Sequence, residues 1–362
     1  MNEIQALRLI RERRRRELRQ VNRTRLRRLR ELSDPYLMPD AAYQGLYRLN
    51  KALTTELVEE LEPHMHQAER STSIPTKLKV LCALHFFGQG SYQKSAGSDC
   101  HLGLSQAAVS RAIEEVTEAM NSPQVLTRWV HFPQTRNERR QAIQENYQAT
   151  GFPGVLGFVD GTHVAIRAPS ERENLYVNRK SYHSLNAQMV CDSRLRILNC
   201  VARYPGSTHD SFIWRNSEVC REMRTVWESG ERCWLLGDSG YPHQPWLQTP
   251  ILDAVEGSPE ENYTKLHVRA RSAVERCFGV LKSRFRCLHQ TLEYAPAKVG
   301  RIINACAILH NMCMGHGLPI PEEEEDNGQM PNNPPEPFIA HPRALLGEAR
   351  NVRESIILRL RR

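Results

Sequence analysis

The chain of 362 residues lacks the long apolar segments of membrane-spanning and exported proteins. No stretch approaches the roughly 18 uninterrupted apolar residues of a transmembrane helix, and the N-terminus has no apolar run of the signal-peptide type. Aromatic residues make up only 7%, against 40% hydrophobic and 25% charged residues, which is typical of a globular protein. We therefore expect no membrane partner and, at about 150 residues per domain, about two domains.

Familiar metal, thiol and nucleotide motifs are also missing. None of the ten cysteines forms a C-x-x-C pair, which gives little support to a structural zinc site. No H-E-x-x-H, G-x-S-x-G or P-loop pattern occurs. Free thiols inside apolar runs behave as small hydrophobic side chains, and five cysteines have this setting: Cys82, Cys191, Cys200, Cys233 and Cys306. We interpret them as reduced thiols of an intracellular protein.

Positive charge is concentrated at the N-terminus. Residues 1–32 hold 12 Arg against 4 Glu, which accounts for the whole formal net charge of +8. A basic arm on a neutral body indicates a polyanionic partner, most often nucleic acid. A solvated charged helix without such a partner is the alternative. The patchy apolar stripe of the arm predicts a segment that is disordered or folds on binding.

The composition changes several times along the chain. The predicted segments are an Arg-rich basic arm at 1–35, a helical domain at 36–149, an α/β domain at 150–316, an acidic Pro-rich linker at 317–342 and a C-terminal basic helix at 343–362. Alternating strand and helix signals place the third segment in the α/β class. The composition of the linker predicts no packed element.

The helical segment contains the pattern of a helix-turn-helix at 91–116. A short helix over Tyr92–Ala96 and a turn over Gly97–Gly103 precede Ser105, which is placed to cap the next helix. Helical spacing puts four apolar residues of that next helix on one face: Val109, Ile113, Val116 and Met120. Its N-terminal half would offer polar and small side chains to DNA base edges: Gln106, Ala107, Ser110 and Arg111. A plain helical bundle without a ligand is the alternative.

Three carboxylates stand out in the α/β segment. Asp160 interrupts VLGFVDGTHVAI, an apolar stretch typical of a strand buried on both faces, where an uncompensated charge is costly. Asp238 ends the apolar run of WLLGDSGYP, and Glu275 lies in RSAVERCFGVLKSRFRCL, which has helical spacing. Such hard oxygen ligands hold Mg²⁺ or Mn²⁺, and two ions about 3.5–4 Å apart can clamp both reacting oxygens of a phosphodiester. Each acid alone is more simply a cap, a turn residue or an ion-pair partner.

Basic side chains near these acids are candidates for contacts with the DNA backbone. Lys282 and Arg286 share a helical stripe with Glu275, beside a core face of Val274, Phe278, Leu281 and Phe285. Arg179 and Lys180 lie in NRKSYHS, a predicted loop that is either a phosphate contact or simply solvated. Asp192 and Ser193 have the setting of a hairpin turn.

Several motifs occur in the order seen in one family. GFVDGTHVAI, YPGSTHDSFIW, LLGDSGYP and VERCFGVLKSRFRCL, followed by CAILHNM, resemble the PIF/Harbinger transposases and the domesticated nucleases derived from them, over roughly residues 70–315. The resemblance implies a ribonuclease-H-like fold with a mixed sheet and flanking helices, preceded by an all-α helix-turn-helix domain. It implies that Asp160, Asp238 and Glu275 are catalytic acids, with Asp210 as a further metal ligand. A first-turn aspartate stabilised by the helix dipole is the alternative for Asp210.

The resemblance also implies an activity and partners. We expect a DDE transposase that cuts and joins double-stranded DNA at terminal inverted repeats and at a target, with two divalent cations, Mg²⁺ or Mn²⁺. A Myb-like DNA-binding protein would aid end binding and entry into the nucleus, leaving some protein in the cytoplasm without it. Synapsis of two ends favours a homodimer. A domesticated nuclease without a mobile substrate, a DNA-binding regulator and an interaction scaffold are the alternatives.

Deletion of residues 8–30 tests the expected role of the basic arm. If the arm contacts phosphates, the deletion should weaken binding to duplexes of any sequence and flatten the salt dependence, because each neutralised phosphate contributes about −0.9 to the log–log slope. Fluorescence anisotropy over a series of salt concentrations measures this slope. An unchanged slope would assign the arm to nuclear import or to a protein partner.

Overall fold

The structure is a computed structural model that divides into two compact units, Met1–Ala119 and Met120–Arg362. It describes five ranges of the chain: 3–32, 34–66, 73–90, 103–321 and 343–360. In these ranges no helix has the length and apolarity needed to cross a membrane.

The described residues of the first unit are helical, as predicted from residue 36 onward. The helices are α1 (Glu3–Leu32), α2 (Asp40–Tyr47), α3 (Lys51–Leu61), α4 (Thr76–Gln89) and α5 (Gln106–Met120). Helices α2 and α3 pack against α4, which is buried along most of its length. Tyr43, Tyr47 and Phe87 are among the largest fully buried side chains of this unit.

The basic arm forms helix α1, and its predicted binding to a polyanionic partner stays a prediction. Arg, Leu and Glu are strong helix formers, and Glu side chains four residues from Arg support the helix. Arg13 pairs with Glu17 at 3.3 Å, and Arg16 pairs with Glu12 at 4.0 Å. The described side chains of α1 are exposed.

Only the second helix of the predicted helix-turn-helix is described. Tyr92–Ala96 and the turn up to Leu102 lie outside the described residues, so the complete motif stays a prediction. The backbone amide of Ala108 donates to Ser105 Oγ at 3.3 Å, which confirms the predicted cap of α5. The predicted apolar face is confirmed at four buried positions: Val109, Ile113, Val116 and Met120. On the opposite side Gln106, Ala107 and Arg111 are exposed and Ser110 is half-buried.

The second unit contains a five-stranded mixed sheet. Its strands are β1 (Val155–Ala165), β2 (Ser184–Cys191), β3 (Ile197–Pro205), β4 (Trp234–Leu236) and β5 (Leu247–Gln248). The strand order is β3-β2-β1-β4-β5, with β1 antiparallel to β2 and parallel to β4. The central position of β1 explains its nearly continuous apolar sequence. This mixed sheet was predicted and is compatible with a ribonuclease-H-like fold.

Helices flank this sheet. They are α6 (Pro123–Trp129), α7 (Arg136–Thr150), α8 (Asp210–Arg215), α9 (Glu218–Glu228), α10 (Pro259–Arg284), α11 (Pro296–Gly315) and α12 (Arg343–Leu360). Helices α7 and α10 pack against β1, and α11 packs against β3 and α6. Because α6 and α7 contact these elements, the second unit begins 30 residues before the predicted boundary at 150. The predicted C-terminal helix is confirmed as α12, whereas residues 322–342 of the predicted linker lie outside the described ranges.

Two polar side chains, Asp192 and Asn146, form hydrogen bonds that stabilise the β2–β3 turn and the start of β1. Asp192 accepts hydrogen bonds from the backbone amides of Arg194 and Arg196, both at 2.9 Å, and so forms the predicted hairpin turn. The buried Asn146 on α7 donates to the carbonyls of Val155 and Leu156 at 3.2 and 3.0 Å. Its Oδ1 accepts from the Ser193 amide at 2.9 Å. Asn146 therefore ties α7, β1 and the β2–β3 turn together.

Asn146→Ala tests the importance of this amide for the fold. The variant leaves three buried backbone groups without their partner, and we expect the free energy of unfolding to fall by about 2–4 kcal/mol. Urea denaturation followed by tryptophan fluorescence reports on the second unit alone, because all five tryptophans lie after residue 120. Gln148→Ala, on an exposed position of the same helix, is the matched control. A loss in N146A no larger than that of the control would contradict this role.

Candidate active site

Asp160 lies at the centre of the candidate site, on the middle strand of the sheet. One carboxylate oxygen, Oδ1, accepts from the Gly161 amide at 2.9 Å, and Oδ2 accepts from Arg271 Nη1 at 2.6 Å. The side chain is only 15% exposed. The predicted interruption of a buried strand by a carboxylate is therefore confirmed, and its compensating positive group is Arg271.

Asp238 is brought to Asp160 by the register of two parallel strands. Phe158 on β1 pairs with Leu236 on β4, and each aspartate follows its paired residue by two positions. Because parallel strands run in the same direction, both carboxylates lie at the same end of the sheet. Asp238 Oδ1 also accepts from the Gly240 amide at 3.0 Å, which holds the side chain at the start of a turn.

Asp210 enters the site from the first position of α8. Its Oδ1 accepts from Asn186 Nδ2 at 2.8 Å. A Cβ atom added to Gly161 would stand 2.3 Å from the same Oδ1, so the carboxylate lies directly against the residue that follows Asp160. The absence of a side chain at Gly161 makes this close approach possible.

Glu275 lies on α10, and Arg271 precedes it by one turn. Arg271 Nη2 donates to Glu275 Oε1, while Nη1 binds Asp160. One guanidinium thus bridges the central strand and the predicted catalytic helix. Sequence reasoning missed Arg271, although a basic residue four positions before Glu275 on the same helical face was a usable signal.

The electrostatics confirm that the aspartates share one environment. Burial raises the pKa of Asp160 to about 7; the positive charge of Arg271 opposes this rise, and the charges of Asp238 and Asp210 add to it. Burial also raises the pKa of Tyr241, and the same three aspartates add to that rise. For Arg271, burial alone would lower the pKa, but the charges of Asp160, Glu275 and Asp238 outweigh it and raise the pKa.

Three of the four predicted backbone-contacting cations surround His163, three residues beyond Asp160. Burial and, to a smaller extent, the positive charges of Lys282, Lys180 and Arg179 together lower the pKa of His163 to about 4. Lys282 Nζ donates to the His163 carbonyl at 3.0 Å. In the predicted loop, Arg179 Nη2 lies 2.8 Å from His209 Nδ1, next to Asp210.

Arg286 does not share the predicted stripe with Glu275 and Lys282. Helix α10 ends at Arg284, and Arg286 begins a short 3-10 helix, Arg286–Leu288, in an exposed position. The spacing of an α-helix therefore does not extend to it. The predicted core face of this segment is confirmed by four buried residues: Val274, Phe278, Leu281 and Phe285.

The donor set matches a divalent cation in chemistry, although the acids are not gathered around a common point. Among the described residues, no three His, Cys, Asp or Glu side chains are close enough to hold a metal ion together. Arg271 lies between two of the acids instead. Hard carboxylate oxygens are nonetheless the ligands that Mg²⁺ and Mn²⁺ prefer. The buried Asn186 Oδ1 adds an amide oxygen without a hydrogen-bond partner in the described part of the chain, and it faces Gly161 as Asp210 does.

Comparisons with known proteins show the family of the chain. Residues 159–311 match the model of the DDE superfamily endonuclease family. The chain is 35% identical over 334 residues to the HARBI1 protein of Bos taurus, covering 91% of each chain. It is also 35% identical to HARBI1 of Homo sapiens over 332 residues, again covering 91% of each chain. HARBI1 is named as a nuclease in both species.

A plant relative is more distant. The ALP1-like protein of Arabidopsis thaliana is 27% identical over 248 residues, which cover 65% of this chain and 59% of the relative. No solved structure matches the chain.

Gly161→Ala tests whether Asp210 belongs to the site. The new Cβ would displace the Asp210 carboxylate, and we expect the Mg²⁺ concentration for half-maximal DNA cleavage to rise about tenfold, as for other residues that orient metal ligands. The melting temperature without metal should change little, because only the ends of the Asp210 and Asn186 side chains must move. Gly315→Ala, where an added Cβ meets nothing within 4 Å, is the control. An unchanged metal requirement in G161A would remove Asp210 from the site.

Proposed function

The chain belongs to the PIF/Harbinger family of DDE superfamily endonucleases, and we propose that it cleaves double-stranded DNA at the acids described above. Because this family consists of endonucleases, the chain is a nuclease. The observation that carries the assignment of the site is that strand register places Asp238 beside Asp160, that Asp210 lies against Gly161, and that Arg271 joins Asp160 to Glu275. These residues are separated by up to 115 positions in the chain and come from four different elements.

Separate parts of the fold hold the individual acids in place. Fixed acid positions suit the cleavage of a phosphodiester bond. Asp160 and Asp238 are held by paired strands, and Asn186 orients Asp210. We propose that these aspartates, together with Glu275, hold the divalent cations that DDE superfamily endonucleases use, two of Mg²⁺ or Mn²⁺ per site. When bound, such ions activate a water or 3′-hydroxyl nucleophile and neutralise the charge that develops on the phosphate.

In this proposal, basic residues next to the acids contact the phosphates of the bound DNA. Lys180 and Arg179 place positive charge near His163, and Lys282 Nζ donates to the His163 carbonyl. Contacts of this kind position a duplex without reading its sequence. We assign base reading to the exposed first turns of α5, which carry Gln106 and Arg111, and additional phosphate contacts to α1.

Beyond DNA cleavage, we propose a more specific activity, which is transposition. In this proposal the chain excises an element at its terminal inverted repeats and joins the free 3′ ends to a target, acting in the nucleus as a homodimer with a Myb-like DNA-binding protein. A domesticated nuclease with the same acids would cleave without a mobile substrate. The relatives named as nucleases support cleavage in either case. Excision from a donor plasmid carrying the repeats that flank the coding region, followed by recovery of insertions, supports transposition; cleavage without joined products supports the domesticated nuclease.

Asp238→Asn tests the catalytic site directly. Asn preserves the size of the side chain but removes the charge that would attract a divalent cation, so we expect cleavage in Mg²⁺ or Mn²⁺ to fall by at least about a hundredfold while duplex binding changes less than about twofold. A nicking assay on supercoiled plasmid measures cleavage, and anisotropy in EDTA measures binding.

Asp253→Asn provides a matched control. This aspartate is exposed in the loop after β5, so the same chemical change there should leave cleavage unaltered. Cleavage by D238N at the rate of this control would contradict the assignment of Asp238 to the site.

A further inference from the structure

Phe212 is an exposed aromatic residue next to the candidate active site. It lies in α8, two positions after Asp210, and is 51% exposed. Every other phenylalanine in the described ranges of the chain is buried. Because burial of a phenylalanine stabilises a fold, the chain forgoes part of that stabilisation at this one described position.

Contacts with the sheet hold the Phe212 ring in place. The ring packs edge-to-face against Tyr204 on β3, with the ring centroids 6.2 Å apart and the ring planes at 84°. Tyr204 pairs with Asn186 on β2, and Asn186 donates to the Asp210 carboxylate at 2.8 Å. Directly opposite residues of antiparallel strands lie on one face, with Cβ atoms about 4.5–5.5 Å apart. Adjacent side chains therefore support the Phe212 ring and the Asp210 carboxylate.

Positive charge lies beside these rings. The guanidinium carbon of Arg203 lies 5.4 Å from the centre of the Tyr204 ring, and Arg203 is exposed. Arg179, also exposed, has its Nη2 2.8 Å from Nδ1 of His209, the residue before Asp210. Proteins bind unpaired nucleobases with such a combination, because the aromatic ring stacks on the base while basic side chains follow the backbone.

Isolated exposed apolar side chains are common on protein surfaces and carry no function by themselves. Phe212 differs from them in three respects. Its ring is held by Tyr204, its support is the strand neighbour of the residue that holds Asp210, and arginines lie beside it. These features favour a DNA strand over a protein partner as the occupant of this surface, since a phosphate chain complements the positive charge.

We propose that Phe212 stacks on a base displaced from the duplex next to the phosphate that is cut, while Arg203 and Arg179 contact the flanking backbone. This inference rests on the proposed function, since it assumes that DNA occupies the candidate site. Displacing a base requires free energy for unpairing and unstacking, and least for a mismatched base. Stacking on a supported ring offsets part of this requirement and fixes the strand relative to Asp210.

Phe212→Leu tests the stacking role. Two short duplexes, one fully paired and one with a single mismatch, have the same phosphates, so the ratio of their affinities reports on the base rather than on the backbone. In EDTA we expect the natural chain to prefer the mismatched duplex by about tenfold and F212L by less than about twofold, because leucine keeps an apolar contact with Tyr204 but has no ring to stack. Fluorescence anisotropy measures each affinity.

Two further variants separate stacking from an effect on the fold. Phe212→Trp supplies a larger ring and should keep the preference for the mismatched duplex. Tyr147→Leu removes a ring that is 53% exposed on α7, a helix that carries none of the four acids, and should leave the preference unchanged. With 5-iodouracil at the mismatched position, irradiation should crosslink the base to the peptide that contains Phe212, as identified by mass spectrometry, and the yield should fall severalfold in F212L.

The outcomes distinguish this inference from the proposed function beneath it. Loss of the preference in F212L, its retention in F212W and a crosslink at Phe212 support stacking. An equal preference in F212L and the natural chain, no preference in the natural chain, or a crosslink confined to another peptide would overturn it. The nicking assay on D238N tests the proposed function separately, so loss of cleavage in D238N with an unchanged preference in F212L removes only the role of Phe212.

Discussion

The carboxylate of Asp160 lies on the central strand of the sheet, next to two further aspartates. Such a charge persists in a folded protein only where hydrogen bonds and opposite charge offset the loss of water. Here the Gly161 amide and the Arg271 guanidinium provide both. The position of α10 against β1 is tied to this requirement, because Arg271 must reach the strand from that helix.

Different local contacts position Asp238 and Asp210. Strand register places Asp238 beside Asp160. Gly161 leaves the space into which Asp210 projects, and Asn186 holds that carboxylate by a hydrogen bond. Each acid therefore has its own support in the fold, and fixed positions of this kind are what electrostatic catalysis requires.

Much of this arrangement could be predicted from the sequence, because its signals are local. An aspartate in an apolar run marks a buried carboxylate, so Asp160 was recognisable, and the helical spacing around Glu275 identified its core face. Arg271 and Asn186 were missed because their importance lies in contacts with Asp160 and Asp210, and the pairing of distant residues is invisible in one sequence. Arg286 was misplaced because the end of α10 is set by the packing of Phe285 rather than by spacing. The Arg-rich arm was expected to be disordered or to fold on binding, and the helix propensity of its Arg, Leu and Glu residues suits the helix α1 that it forms.

Crystals grown with Mn²⁺ and a duplex DNA would test the central claim most directly, by anomalous scattering at the manganese edge. We predict an anomalous peak in contact with carboxylate oxygens of Asp160, in the middle of β1, and Asp238, just after β4. A strong peak elsewhere, with Asp160 still bound by Arg271 and no manganese at its carboxylate, would contradict the proposal that these acids form the catalytic metal site.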